Sequence, residues 1–419
     1  MDVVEVVRLL VLLLFIALLV IMVTRRLKIP YTLGLVIVGF FISFLGRITV
    51  FHLTPDLVLF VFLPALLFEG SWSISWPLLR KNWLAVFLLA VPGLLLALVL
   101  IALPLYYLTA LSLPEAFLLA AILSPTDPVA VLGLFRQLNV HADLSMIVEG
   151  ESLFNDGVAG VVYQIFLALV LVALQGQTLS LGQTIGQSLW ILLLQAGGGV
   201  LTGLVCGWLM SRFMARVTDH LIVITISLVT AYGVYLLADS LHFSGILAVI
   251  IAALIMGNYS RDHGLSEQVQ SVVDDFWGVI AFLANAMLFL LVGGQLDPQE
   301  LFTVRQPVPL IVVALLAIIA VLVARFVMVL VLPRRLSAIP GLRLRSWRFI
   351  IFLSGLRGAL SLALVLALPL NVPNRSLLLI ATYSVVFFTL LVQGFGVQHS
   401  LRLLPRVRET KKDLGAVDS

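Results

Sequence analysis

Ser124-Pro125-Thr126-Asp127-Pro128 sits in the middle of an apolar run that extends from Pro114 to Leu134. Two prolines three residues apart remove two backbone donors, and their rings clash with the preceding turn. A helix entering from Pro114 has to break here, freeing carbonyls before Pro125 and amides after Asp127. Asp127 followed by Pro128 reads as an N-cap with proline at the first helical position. The second half-helix then starts with its positive dipole end met by a carboxylate. A simple proline kink is the plainer reading, but a kink does not call for an aspartate.

The composition around this stretch sets the class. Of 419 residues, 62% are hydrophobic and 11% are charged. A soluble domain is about 45–50% apolar and about 25% charged, and a chain of this length cannot bury the surplus. A soluble enzyme, a nucleic-acid binder and a disordered chain are therefore excluded. The apolar runs also exceed the ~10-residue alternating strands of a membrane barrel. An all-α polytopic membrane protein is expected.

Hydropathy divides the chain into thirteen spans. They run near Val4–Thr24, Tyr31–Leu45, Phe51–Phe68, Trp83–Leu108, Pro114–Leu134, Met146–Leu174, Ile185–Met214, Leu221–Leu237, Phe243–Met256, Val272–Leu291, Val308–Leu332, Phe349–Leu370 and Ser376–Leu401. With the N-terminus outside, nineteen of the 25 Lys and Arg residues fall on the inner side. Only Arg47, Arg305 and Arg375 fall outside, while Arg8, Arg325 and Arg357 lie within spans. That asymmetry favours an odd number of spans, with the C-terminus in the cytoplasm; the short tail suggests a prokaryotic cell inner membrane. Residues 1–404 then form one transmembrane domain and residues 405–419 a short basic tail. The acidic start, Met1-Asp2-Val3-Val4-Glu5, is unlike a signal peptide, so the first span reads as a retained helix. Cys206 stands alone and makes no intrachain disulfide.

Ionisable residues within spans are costly and mark function or an internal pair. Span 12 carries Ser354-Gly355-Leu356-Arg357-Gly358-Ala359-Leu360-Ser361. Two glycines flank an arginine roughly 13 Å deep, which reads as a second interrupted helix with Arg357 facing freed carbonyls. Spans 5 and 12 differ by seven, an odd offset that means opposite insertion. Spans 1–6 and 8–13 are thus expected to be inverted repeats linked by span 7, their interrupted helices crossing at mid-membrane.

Span 6 reads Glu149-Gly150-Glu151-Ser152-Leu153-Phe154-Asn155-Asp156-Gly157. Asp156 lies roughly 15 Å deep, level with Thr126 and Asp127. Ser152 and Asp156 share a face, as do Glu151 and Asn155. Glu151 and Arg325 match in depth and oppose in charge, so they are the expected structural pair. Arg357 is the competing partner for Glu151 or Asp127. Asp156 is left as the acid without an evident counter-ion. A carboxylate held away from water takes up either a proton or a monovalent cation. Thr126, Ser152 and a freed carbonyl would complete an alkali-cation site around Asp156. If only the loaded states reorient, protons exchange for cations. Asn155 cannot titrate, which favours electroneutral exchange, one for one. An intramembrane aspartyl protease built on Asp127 and Asp156 is one rival, but it lacks a Gly-x-Gly-Asp element. A cation channel is another, but no filter loop repeats.

At these residues the chain resembles the NhaP/NHE-type monovalent cation:proton antiporters. Besides the span 5 and span 6 motifs, the likeness includes Leu63-Pro64-Ala65-Leu66-Leu67-Phe68-Glu69, Leu241-His242-Phe243-Ser244-Gly245-Ile246-Leu247-Ala248, Ala324-Arg325 and Gly355-Leu356-Arg357-Gly358-Ala359. The resemblance implies a homodimer with a moving core of helices 4–6 and 11–13. It also implies an elevator-like motion that carries Asp156 between faces, with Na+ first, then Li+ or K+, as the cation. No cofactor beyond the transported ions is implied, and membrane lipids are the surroundings. The adjacent asparagine–aspartate pair resembles the electroneutral branch. Glu69 matches an acid near the cytoplasmic entrance, expected to attract cations. Asp275-Phe276-Trp277-Gly278 departs from the pattern, since many relatives carry an acid after the tryptophan; Asp274 and Asp275 are the candidate substitutes. Asn285 is expected to glue helices together. The six histidines lie near span ends. Gly197-Gly198-Gly199 points to close helix packing at a subunit boundary.

Overall fold

A computed structural model describes residues 3–27, 31–44, 54–127, 131–133, 135, 140–175, 181–262, 265–294, 310–332 and 344–403. Pro128 of the break, His52, His263, most of the basic loops and the tail 405–419 lie outside these residues. Every regular element described is helical. In hydrocarbon each backbone N–H and C=O needs an internal partner, and a helix supplies it within one segment.

The helices follow the expected spans one for one. They are α1 (Val3–Leu27), α2 (Tyr31–Phe44), α3 (Pro55–Leu57 and Leu63–Ser73 about a π-helical turn at Val58–Phe62) and α4 (Trp76–Leu108, with a π-helical turn at Leu89–Gly93). Next come α5 (Leu113–Leu123, then a short helical piece at 131–133), α6 (Ala142–Leu174), α7 (Leu181–Met214), α8 (His220–Ser240), α9 (Gly245–Asp262) and α10 (Glu267–Gly294). The last are α11 (Leu310–Val331), α12 in two halves (Leu344–Leu353 and Ala359–Leu366) and α13 (Arg375–Phe388 and Gly394–Leu403 about a π-helical turn at Thr389–Gln393). Eight of these are individually long and apolar enough to cross a membrane, among them α1, α4, α6 and α11. The first half of α5 and the halves of α12 are too short to cross alone.

The packing repeats with a shift of seven helices. α1 lies on α2 as α8 lies on α9; α2 lies on α10 as α9 lies on α3. In the other layer α4 packs on α6 as α11 packs on α13, and α5 packs on α6 as α12 packs on α13. One layer thus holds α1–α3 with α8–α10, the other α4–α6 with α11–α13. α7 stands outside this scheme and lies along α9.

The glycines of α7 make a close packing contact within this chain. Cβ atoms on Gly198 and Gly199 would strike Phe243 and Ser244 of this same chain, and the contact continues down Gly203 and Gly207 onto Ala248 and Ala252. The seam is intramolecular because residues four apart share one helix face, and α9 presents small side chains to it. Gly197 itself faces open space, as does Gly186 earlier in the helix.

Candidate functional site

The break in α5 is held by side chains of α6. After Leu123 the chain leaves the helix, and the Ser124 hydroxyl bonds back to the Ala120 carbonyl at 2.6 Å. Thr126 is gripped at three atoms. The Ser152 hydroxyl donates to its carbonyl. Asn155 Nδ2 donates to its Oγ1 at 2.8 Å, and its own N–H donates to Asn155 Oδ1 at 3.4 Å. One residue on, the Asp127 N–H donates to the Leu356 carbonyl at 2.8 Å. The two broken helices are thus stitched together backbone to backbone.

Charges then satisfy the groups that the breaks set free. Arg357, from the gap in α12, donates Nη1 to the carbonyls of Ser124 and of Pro125, the latter at 2.9 Å. These are the carbonyls released at the end of the first half of α5. In return, the Asp127 carboxylate accepts the Ala359 N–H at 3.4 Å, at the start of the second half of α12. Gly358 is needed there, because a Cβ would collide with the Asp127 carboxylate. Asp127 therefore serves the crossing helix; a cap on its own second half falls on residues outside those described.

Arg325 of α11 secures the other free end. It donates Nε and Nη2 to the Ile351 carbonyl at 3.2 and 2.8 Å. Its two Nη atoms also fork onto Glu151, Nη2 to Oε2 at 3.0 Å. Both side chains are buried, and the fork geometry suits a guanidinium and a carboxylate. Gly355 makes the room, since a Cβ would lie 2.6 Å from Arg325 Nε. Arg325, rather than Arg357, is thus the partner of Glu151.

Beside this frame lies a cavity of about 430 Å³. Arg25, Glu69 and Glu149 line it together with Thr126, Asp127, Ser152, Asp156 and Ser361, and Asn285 of α10 lines it as well. Glu69 and Arg25 also line a second cavity of about 650 Å³, beside Asp274 and Asp275. Asp274 accepts the Trp72 Nε1–H at 2.7 Å. Asp156 Oδ1 is buried and has no hydrogen-bond partner among the described residues.

Thr126, Asp127, Ser152 and Asp156 are therefore brought to one cavity, and Glu69 lines it too. Glu151, Arg325 and Arg357 stand behind the wall as framework. Asn155, the neighbour of Asp156 in the sequence, takes a different place. It does not line the cavity, and its amide is turned onto Thr126. Residue spacing placed it beside Asp156, but neighbours in a helix point about 100° apart. Sequence reasoning had left Ser361 unassigned; its place directly after the glycine-flanked gap was the available signal.

Residues 11–403 match the family model described as sodium/hydrogen exchanger, transmembrane. This chain belongs to the sodium/hydrogen exchanger family. It is 36% identical to the low-affinity Na+/H+ antiporter NhaS1 of a Synechocystis species over 92% of this chain and 72% of that protein. It is 32% identical to the Na+/H+ antiporter NhaH of Halobacillus aidingensis, covering 94% of this chain and 96% of the relative. Among solved structures, the sodium proton antiporter MjNhaP1 of Methanocaldococcus jannaschii superposes with a TM-score of 0.77 at 20% identity. That likeness covers 96% of this chain and 99% of the other, and it establishes the shared fold. This exchanger-family chain is a multi-pass membrane protein of a transporter family, not of an enzyme family.

Proposed function

We propose that this protein exchanges a monovalent cation, sodium before lithium or potassium, for protons at Asp156, one for one and without net charge movement. The observation that carries this reading is Asp156 Oδ1, buried without a hydrogen-bond partner among the described residues on the wall of the 430 Å³ cavity. Thr126 and Ser152 beside it supply further oxygen for an alkali ion.

Charge balance supports the stoichiometry. Three carboxylates (Asp127, Glu151, Asp156) and two guanidiniums (Arg325, Arg357) meet at the crossing, leaving one negative charge in excess. One proton or one monovalent cation neutralises it. Either load leaves the same total charge, so both loaded forms face the same cost of moving through a low-dielectric layer. The layer of α4–α6 and α11–α13 is the moving core and carries Asp156 from one face to the other. Glu69 draws cations into the mouth. With the N-terminus outside, Arg25 and Glu69 mark the cytoplasmic mouth, so the cavity faces inward. A homodimer in a prokaryotic inner membrane completes the reading.

Purified protein in proteoliposomes with an enclosed pH dye tests it. Sodium added outside should drive proton efflux, saturably. A membrane potential, imposed with valinomycin and a potassium gradient once potassium has been shown not to be transported, should change neither the initial rate nor the final gradient. Sodium accumulation that follows the imposed voltage would contradict electroneutral exchange and require a second titrating group.

A further inference from the structure

Most oxygens around Asp156 are already engaged. The Thr126 carbonyl takes the Ser152 hydroxyl, Thr126 Oγ1 takes the Asn155 amide, and the Asp127 carboxylate takes the Ala359 N–H. Among the described residues lining the cavity, two buried side-chain oxygens have no hydrogen-bond partner: Asp156 Oδ1 and Ser361 Oγ. Ser361 is 1% exposed.

The break itself explains why Ser361 is unpartnered. A buried serine or threonine in a helix commonly bonds back to the carbonyl four residues earlier. Ser124 does so to Ala120, Ser354 to Ile350 and Thr382 to Leu378. Ser361 is the third residue of the second half of α12, which starts at Ala359. Four residues back is Arg357, which lies in the gap and not in the helix. The interruption therefore denies this hydroxyl its usual local acceptor while leaving it on the cavity wall. A serine serving only packing would leave an unsatisfied polar group in an apolar bundle, where alanine would fit without that cost.

We propose that Ser361 is a direct oxygen ligand of the transported cation, sharing the ion with Asp156 and helping to set the choice among alkali ions. Alkali ions are hard and take oxygen ligands, and a hydroxyl offers a neutral one whose spacing from the carboxylate is fixed by the frame. This inference rests on cation exchange at Asp156.

The test compares wild type, Ser361→Ala and Ser361→Thr in proteoliposomes with sodium and with lithium. Loss of one ligand should raise the apparent KM for sodium roughly three- to tenfold. It should also alter the sodium-to-lithium preference and leave the maximal rate near that of the wild type. Threonine keeps the hydroxyl and should restore both. A fall in maximal rate shared by both ions, with KM and preference unchanged, would overturn the assignment and leave Ser361 a packing residue. Should the alanine variant fail to insert, Ser361→Cys replaces it. Its near-isosteric sulfur is a poor alkali ligand, so the same KM rise is expected, and an unchanged KM overturns the proposal. Absence of sodium-driven proton flux in the wild type would instead sink the exchange reading itself.

Discussion

Along the α7–α9 seam, Gly199, Gly203 and Gly207 recur every fourth residue and bring two unbroken helices close together. At the α5–α12 crossing, two interrupted helices are joined by Arg357 on freed carbonyls and Asp127 on a freed amide, with Arg325 and Glu151 behind them. The seam needs no charge because neither helix is interrupted along it. Its closeness gains van der Waals contact that lipid would otherwise supply. The crossing has to replace backbone bonds that the breaks removed, and hydrocarbon offers no water to do it. At the crossing, Arg325, Arg357 and Asp127 are structural substitutes for missing helix hydrogen bonds. Among the described residues Asp156 Oδ1 satisfies no broken helix end, and the cavity opens beside it.

The largest stability effect is expected where that contrast is sharpest. Arg325→Ala strands the Glu151 carboxylate and also releases the Ile351 carbonyl, at a cost on the order of 3–5 kcal/mol. Glu151→Ala should cost a similar amount. The double variant should recover part of the loss, though not all, since Ile351 stays unsatisfied. Thermal unfolding in detergent followed by tryptophan fluorescence measures the cycle. Losses that simply add would show that the two side chains do not stabilise each other.

The seam should respond differently. In Gly203→Val, the new Cβ meets the Ala248 carbonyl oxygen at 2.5 Å and Ile251 Cβ at 2.9 Å. The helices must move apart, costing about 1–3 kcal/mol, the usual penalty of overpacking. Exchange per folded molecule should persist, because no cavity residue is touched. A variant as stable as the wild type would mean that the seam already has slack.

How much of this was legible beforehand follows the same division. The thirteen helices among the described residues could be read directly, because the bilayer forces apolar length on each span. The break at Pro125–Pro128 was legible because proline chemistry is local. The Glu151–Arg325 pair followed from depth and sign. What escaped the sequence was direction around the helix axis relative to neighbours not yet known. Asp127 serves the crossing helix, Asn155 turns to Thr126, and Gly198 and Gly199 of α7 meet Phe243 and Ser244. Ser361 escaped for a related reason: its lost acceptor becomes visible only once the helix start at Ala359 is fixed. The π-helical turn at Thr389–Gln393 has no proline to announce it; there Thr389 Oγ1 accepts the Arg357 N–H at 3.1 Å.

Asp156→Asn should have the smallest effect on stability and the most complete effect on exchange. The replacement keeps the size of the side chain and removes only its ability to carry a negative charge. No described hydrogen bond to Asp156 Oδ1 is lost, so the melting temperature should stay near or above that of the wild type. In proteoliposomes reconstituted at equal protein content, sodium-driven proton flux should vanish. A melting temperature that drops as far as in the Glu151 variants would place Asp156 among the structural charges, and sodium-dependent proton flux surviving in Asp156→Asn would contradict its assignment as the exchange site.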